Sequence, residues 1–289
     1  MIRLDAASVL LQWATGGLFF LWVTTRRREV GIGYGWLLRG TYFVLTLGSL
    51  AAAALIGWVP VRDLAAVGMA VATAVAFGAS VVRRQAGVSG ARELASARTA
   101  RVAAMTGIER TAPAPDPTLV TATRPEFPPY LDLIGPAFGA VGLVAAALDA
   151  GGSPWLSMLR IFTGALFLGA VTDAMLLGHW YLVQPGMSRA PLLELVRWTS
   201  IIWPFEVLAL VLPVGMLSVW SGSVDDGYNG MLGWFWGACA IATIILCLVT
   251  RAALRERYYS AVMAATGLLY LAILTAFGTD LVARAVLAG

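Results

Sequence analysis

Three side chains stand out by type and position: Asp173, the single histidine His179, and Glu206. Each falls inside an apolar run long enough to cross a bilayer, where an ionisable group is costly and marks a functional site by default. Asp173 and Glu206 can take up and release protons, and His179 can relay one. The runs that hold them, 155–184 and 190–220, are joined by Gln184-Pro185-Gly186-Met187-Ser188-Arg189 and are expected to pair antiparallel. A membrane core of about 20 residues from near Arg160 to Tyr181 puts Asp173 near mid-membrane and His179 near one interface. The turn then sets matching depths, so Glu206 is expected near Asp173 and Arg197 near His179. Two acids at one depth in a dry interior form a proton-handling arrangement.

The surrounding residues suit a ligand. Pro204 and Pro213 flank Glu206, and a proline opens a helix and frees carbonyls to line a cavity. Trp198 and Trp203 offer flat apolar walls, as do Trp234 and Trp236. Met175 lies one turn before His179 on its own face, whereas Asp173 is about 240° away from His179 around the helix, so each needs a partner on another helix. Two structural alternatives stand beside this chemistry. Gly178-His179-Trp180-Tyr181 also suits an interfacial aromatic belt, and the acids also suit a polar clasp between helices.

Composition supplies the setting. Hydrophobic residues make up 59% of the chain and charged residues 12%, with 11 tryptophans and a mean hydropathy of +0.79, far from the averages of a soluble domain. An all-α polytopic membrane protein is therefore expected. Lysine is absent, which excludes a Walker-type nucleotide loop and a retinal Schiff base. The net charge of +4 sits on loop arginines that topology explains better than nucleic acid does. Cys239 and Cys247, about 12 Å apart on one helix, cannot bond to each other and are expected to be buried free thiols. No cysteine cluster is present to hold iron–sulfur or zinc, and one histidine cannot supply a bis-histidine haem. His179 and Met175, on one face, cannot flank a haem either, so no haem or metal held by this chain alone is expected. Arg26-Arg27-Arg28 follows the first apolar run, and no cleavable signal is expected.

Eight segments reach spanning length, at 7–25, 34–58, 62–83, 131–149, 155–184, 190–220, 230–250 and 258–286, against roughly 20 residues for a core of about 30 Å. Arginines concentrate in the loops at 26–29, 83–130, 185–191 and 251–257, while the alternate loops hold Arg62 with Asp63, Asp149, Asp225 and Asp226. The positive-inside rule makes the first set cytoplasmic and puts both termini outside a cell inner or plasma membrane. The run Ala14 to Thr24 matches Phe162 to Thr172 at six of eleven positions. Weaker matches follow in later segments, which predicts two parallel-repeated four-helix units. The organisation expected is 1–83 as three helices, 84–130 as an Arg/Pro-rich cytoplasmic linker or docking arm, 131–149 as a fourth helix, and 150–289 as four helices carrying the site.

The function these residues favour is a haem-free membrane subunit of a respiratory electron-transfer complex, binding a quinone and handling its protons. Asp173, Glu206 and His179 would be catalytic, with Arg197, Trp198, Trp203 and Met175 lining the quinone, and other membrane and redox subunits as partners. In helix count alone, this layout resembles the polysulfide-reductase-type membrane anchors. The alternatives are a non-catalytic assembly subunit and a proton-coupled transporter; against the latter, no proline in the second segment matches Pro204.

Overall fold

The computed structural model describes residues 5–83, 127–184, 187–256 and 258–288. Positions 84–126, most of the expected linker, lie outside the described residues. Among those described there is no strand. Eight long helices run alternately between two faces: α1 (Ala6–Thr25), α2 (Ile32–Ile56), α3 (Pro60–Val82), α4 (Ile134–Asp149), α5 (Pro154–Val183), α6 (Ala190–Val211), α7 (Met231–Ala253) and α8 (Tyr259–Leu287). The face where α1 starts and α8 ends is here called the N-terminal face.

Local chemistry accounts for the boundaries. Asp5 caps α1 by accepting from the backbone N–H groups of Ala7 and Ser8, both at 3.2 Å. Pro60, Pro154 and Pro191 stand in the first turns of α3, α5 and α6, where a missing N–H costs nothing. Two boundaries depart from the sequence expectation. The segment expected from residue 131 opens as a 3-10 turn, Pro129–Leu133. The segment expected to run to 220 ends at Val211, and only a single turn, Leu217–Trp220, follows. Pro213 explains the second, because it pushes the preceding residue out of the helical region; Leu212 is extended, at φ −76° and ψ 147°. Pro204 leaves α6 unbroken.

Among the described residues, seven helical stretches are long and apolar enough to cross a membrane: α1, α2, α3, Pro129–Asp149, α5, α7 and α8. The fold is thus compatible with a multi-pass membrane protein. Helix α6 has 22 residues but is not among the seven, because it carries Glu194, Arg197 and Glu206.

Helices α1 and α5 form the middle of the molecule, with 72% and 78% of their apolar windows buried against 28–44% for the other spans. They approach so closely that a side chain on Gly16 would strike the Ala165 carbonyl, and one on Gly169 would strike the Gly16 backbone. Around this crossing, α1 packs on α2 and α4, and α3 on α2 and α4; likewise α5 packs on α6 and α8, and α7 on α6 and α8. Small residues at the crossing are what allow it, since association in a membrane rests on close van der Waals contact.

Candidate functional site

The expected acids are both fully buried, and the fold sends them to different levels. Asp173 sits ten positions before the end of α5, whereas Glu206 sits sixteen positions after the start of α6. The six-residue difference is about 9 Å of helix rise. On α5, Glu206 faces Thr163, about 15 Å along the axis from Asp173. The expectation that they share one depth is therefore corrected.

Asp173 belongs to a tyrosine cluster. Its Oδ1 accepts a short hydrogen bond from the Tyr42 hydroxyl, and its backbone carbonyl accepts one from the Tyr34 hydroxyl at 3.2 Å. Asp173 Oδ2 has no partner. Toward the face opposite the N-terminal one, the Tyr181 hydroxyl donates to the Ser188 carbonyl at 2.5 Å. Neighbouring Thr172 accepts from Trp13 Nε1 at 2.9 Å.

Glu206 belongs to a cluster of charges drawn from three helices, with the neutral Gln12 added from a fourth. Arg284 Nε donates to Asp280 Oδ2 at 2.8 Å, and Arg284 Nη2 donates to Gln12 Oε1. Gln12 Nε2 reaches Asp280 Oδ1 at 3.4 Å. Arg160 donates to the carbonyls of Ala209 at 3.0 Å and Leu212 at 2.7 Å, which satisfies the open end of α6. Thr163 gives its hydroxyl proton to the Leu159 carbonyl at 2.9 Å. Glu206 lies within reach of the Thr163 hydroxyl and the Asp280 carboxyl, but neither of its oxygens meets a partner in good hydrogen-bonding geometry, a costly state for a buried polar group. Its charged neighbours are Asp280, Arg284 and Arg160.

The remaining expected site residues do not converge. His179 is exposed on α5 and pairs through Nδ1 with the Tyr270 hydroxyl at 3.1 Å, their rings edge to face. Arg197 is exposed on α6. Trp198 is edge-on to Phe20 at 6.2 Å, and Trp203 Nε1 donates to the Ala240 carbonyl at 2.8 Å. Met175 is half-buried against the core. Arg197, Trp198, Trp203 and Met175 thus stand at separate places on α5 and α6 rather than around one carboxyl.

Sequence reasoning missed Tyr34, Tyr42, Gln12, Asp280 and Arg284. Asp280 and Arg284 carried a signal, an acid and an arginine at i,i+4 inside an apolar run; the tyrosines carried none. It also missed two clasps. Arg39 forms a two-pronged pair with Asp132, both bonds 2.7 Å and both residues buried. Arg62 is held by Asp63 at 2.6 Å and by Asp5 at 2.5 Å. No family, curated protein or solved structure matches the chain.

Proposed function

We propose that this chain is a proton-handling membrane subunit of a respiratory electron-transfer complex, working with a membrane quinone. The observation that supports it best is Glu206, a fully buried carboxyl with no hydrogen-bond partner, set among two arginines and a second acid. A residue kept for stability would be paired, because an unpaired buried polar group costs about 1–3 kcal/mol. Asp173, with one unpartnered oxygen beside two tyrosine hydroxyls, adds a second exchangeable carboxyl at another depth. The lipid-facing His179–Tyr270 pair supplies a donor and an acceptor that a quinone headgroup arriving from the bilayer can engage.

The matching internal packing of α1–α4 and α5–α8 supports two parallel four-helix units, all eight helices spanning. The arginine bias of the loops supports an N-terminal face turned to the outside. A second reading, a non-catalytic assembly subunit, draws on the clasped charges Arg39–Asp132, Arg62–Asp63 and Arg284–Asp280.

The test separates these readings. Glu206→Gln and Asp173→Asn should each cut quinone-linked electron transfer at least tenfold while the complex assembles at normal yield. Wild-type turnover in both variants would sink the proposal, and loss of assembled complex would favour the second reading.

A further inference from the structure

The N-terminal face holds a cleft and, beside it, a small cavity walled by the two arginines that neighbour Glu206. An open cleft of about 800 Å³ lies among the ends of α1, α2, α3 and α8, lined in part by Asp5, Trp58, Arg62, Asp149 and Leu281. Beside it, sharing Asp5 and Asp149 as wall, is a cavity of about 20 Å³ that Ser8, Ser157, Arg160 and Arg284 also line. That space holds about one water molecule, and its walls are polar enough to keep one. Arg160 and Arg284 are in turn the cations beside Glu206. Glu206 itself lines neither space; Arg160 and Arg284 are the link between the cavity and its carboxyl.

We propose that Glu206 exchanges its proton with water at the N-terminal face through this cleft and cavity, an inference that rests on the proton-handling reading above. The charges around Glu206 suit the exchange. Asp280 and Arg284 face it from α8, Arg160 and Thr163 from α5, and Gln12 from α1. Among the described residues, α7 brings no charged side chain to this level, its Arg251 lying in the last turn at the far end. When Glu206 is ionised, two arginines meet two carboxylates and the cluster is balanced; the proton's arrival leaves one positive charge. Arg284 is already held by Asp280, and Arg160 by two carbonyls, so neither neutralises Glu206 through a direct bond. The same arginines disfavour entry of a metal cation, which must bring its own charge into the neck, whereas a proton arrives by transfer along hydrogen bonds.

Filling the one-water space tests the route. Ser157→Val and Ser157→Leu place apolar bulk in the cavity, and Ser188→Leu does so at the opposite face. Hydrogen–deuterium exchange of the protonated Glu206 carboxyl would be followed by difference infrared spectroscopy at mildly acid pH, with Glu206→Gln assigning the band. The expected result is exchange at least tenfold slower in a folded Ser157 variant and unchanged in Ser188→Leu. Wild-type exchange in both folded Ser157 variants, or slowing in Ser188→Leu alone, overturns the route. None of these readouts uses electron transfer, so the route and the respiratory reading fail separately.

Discussion

Tyr42 reaches Asp173 only because residue 17 has no side chain: a Cβ there would lie within the Tyr42 ring. Gly17→Ala should therefore push the ring aside and break the hydrogen bond to Asp173 Oδ1 while leaving both chemical groups in place. Overpacking of this kind costs typically about 1–3 kcal/mol. Tyr42→Phe removes the donor with the ring retained and should cost about 1–3 kcal/mol through the unpaired carboxyl oxygen. If the hydrogen bond matters to turnover, both variants lower it together; thermal unfolding in detergent, measured beside quinone-linked activity, checks the pair. A Gly17→Ala protein as stable and active as wild type would show that the Tyr42 contact is incidental. Such contacts were not legible in the sequence, because a tyrosine in an apolar run reads as core and nothing in its spacing names the acid it meets. The acids themselves were legible, since cost alone singles out a carboxyl in a span.

Among the elements, the loop before α7 shows how a charge outside the spans sets a helix start. Asp226 Oδ1 accepts from the backbone N–H groups of Tyr228 at 2.9 Å and Gly230 at 2.8 Å, and Oδ2 from that of Leu232 at 2.8 Å. Desolvation pushes its pKa up, but the bonds from Gly230, Tyr228 and Leu232 outweigh it and hold the carboxyl below the usual carboxylate range. A depressed folded value means that the contribution is fully present at neutral pH and is lost as pH falls through that folded value. Hydrogen exchange should therefore show the Gly230 and Leu232 amides losing protection at acid pH, after correction for the intrinsic rate, and Asp226→Asn should show much of that loss already at pH 7. Equal protection in Asp226→Asn would remove the carboxylate's role. Helix existence was largely legible from hydropathy, and the end of α6 was not. The apolar pattern continues through Leu217–Trp220, whereas the backbone restriction set by Pro213 acts locally and hydropathy cannot register it.

Across the whole molecule, α1–α4 and α5–α8 share an order of packing but not a distribution of charge. In the first group the buried ions are clasped, with Arg39 on Asp132 and Arg62 on Asp63. Among the described residues the second group has one such clasp, Arg284–Asp280, and beside it the unpartnered carboxyl oxygens of Glu206 and Asp173, whereas in the first group the unpartnered atom at a clasp is an arginine nitrogen, Arg39 Nη1. The matching runs Ala14 to Thr24 and Phe162 to Thr172 fall on the two helices that cross at the centre. They could not give the depth offset between α5 and α6, which depends on where the turn between them closes. Scaffold and chemistry should then respond differently to the same kind of change. Asp132→Asn leaves Arg39 buried opposite a neutral group, and breaking a buried pair in this way costs about 3–5 kcal/mol, so folded yield and thermal stability should fall sharply. Glu206→Gln removes a carboxyl that no hydrogen bond holds, so yield and stability should stay close to wild type while proton-dependent turnover is lost. Size-exclusion yield, unfolding temperature and turnover of the two variants, measured side by side, decide the matter. If Glu206→Gln collapses the fold and Asp132→Asn spares it, the second group is the scaffold and the division of labour argued here is reversed.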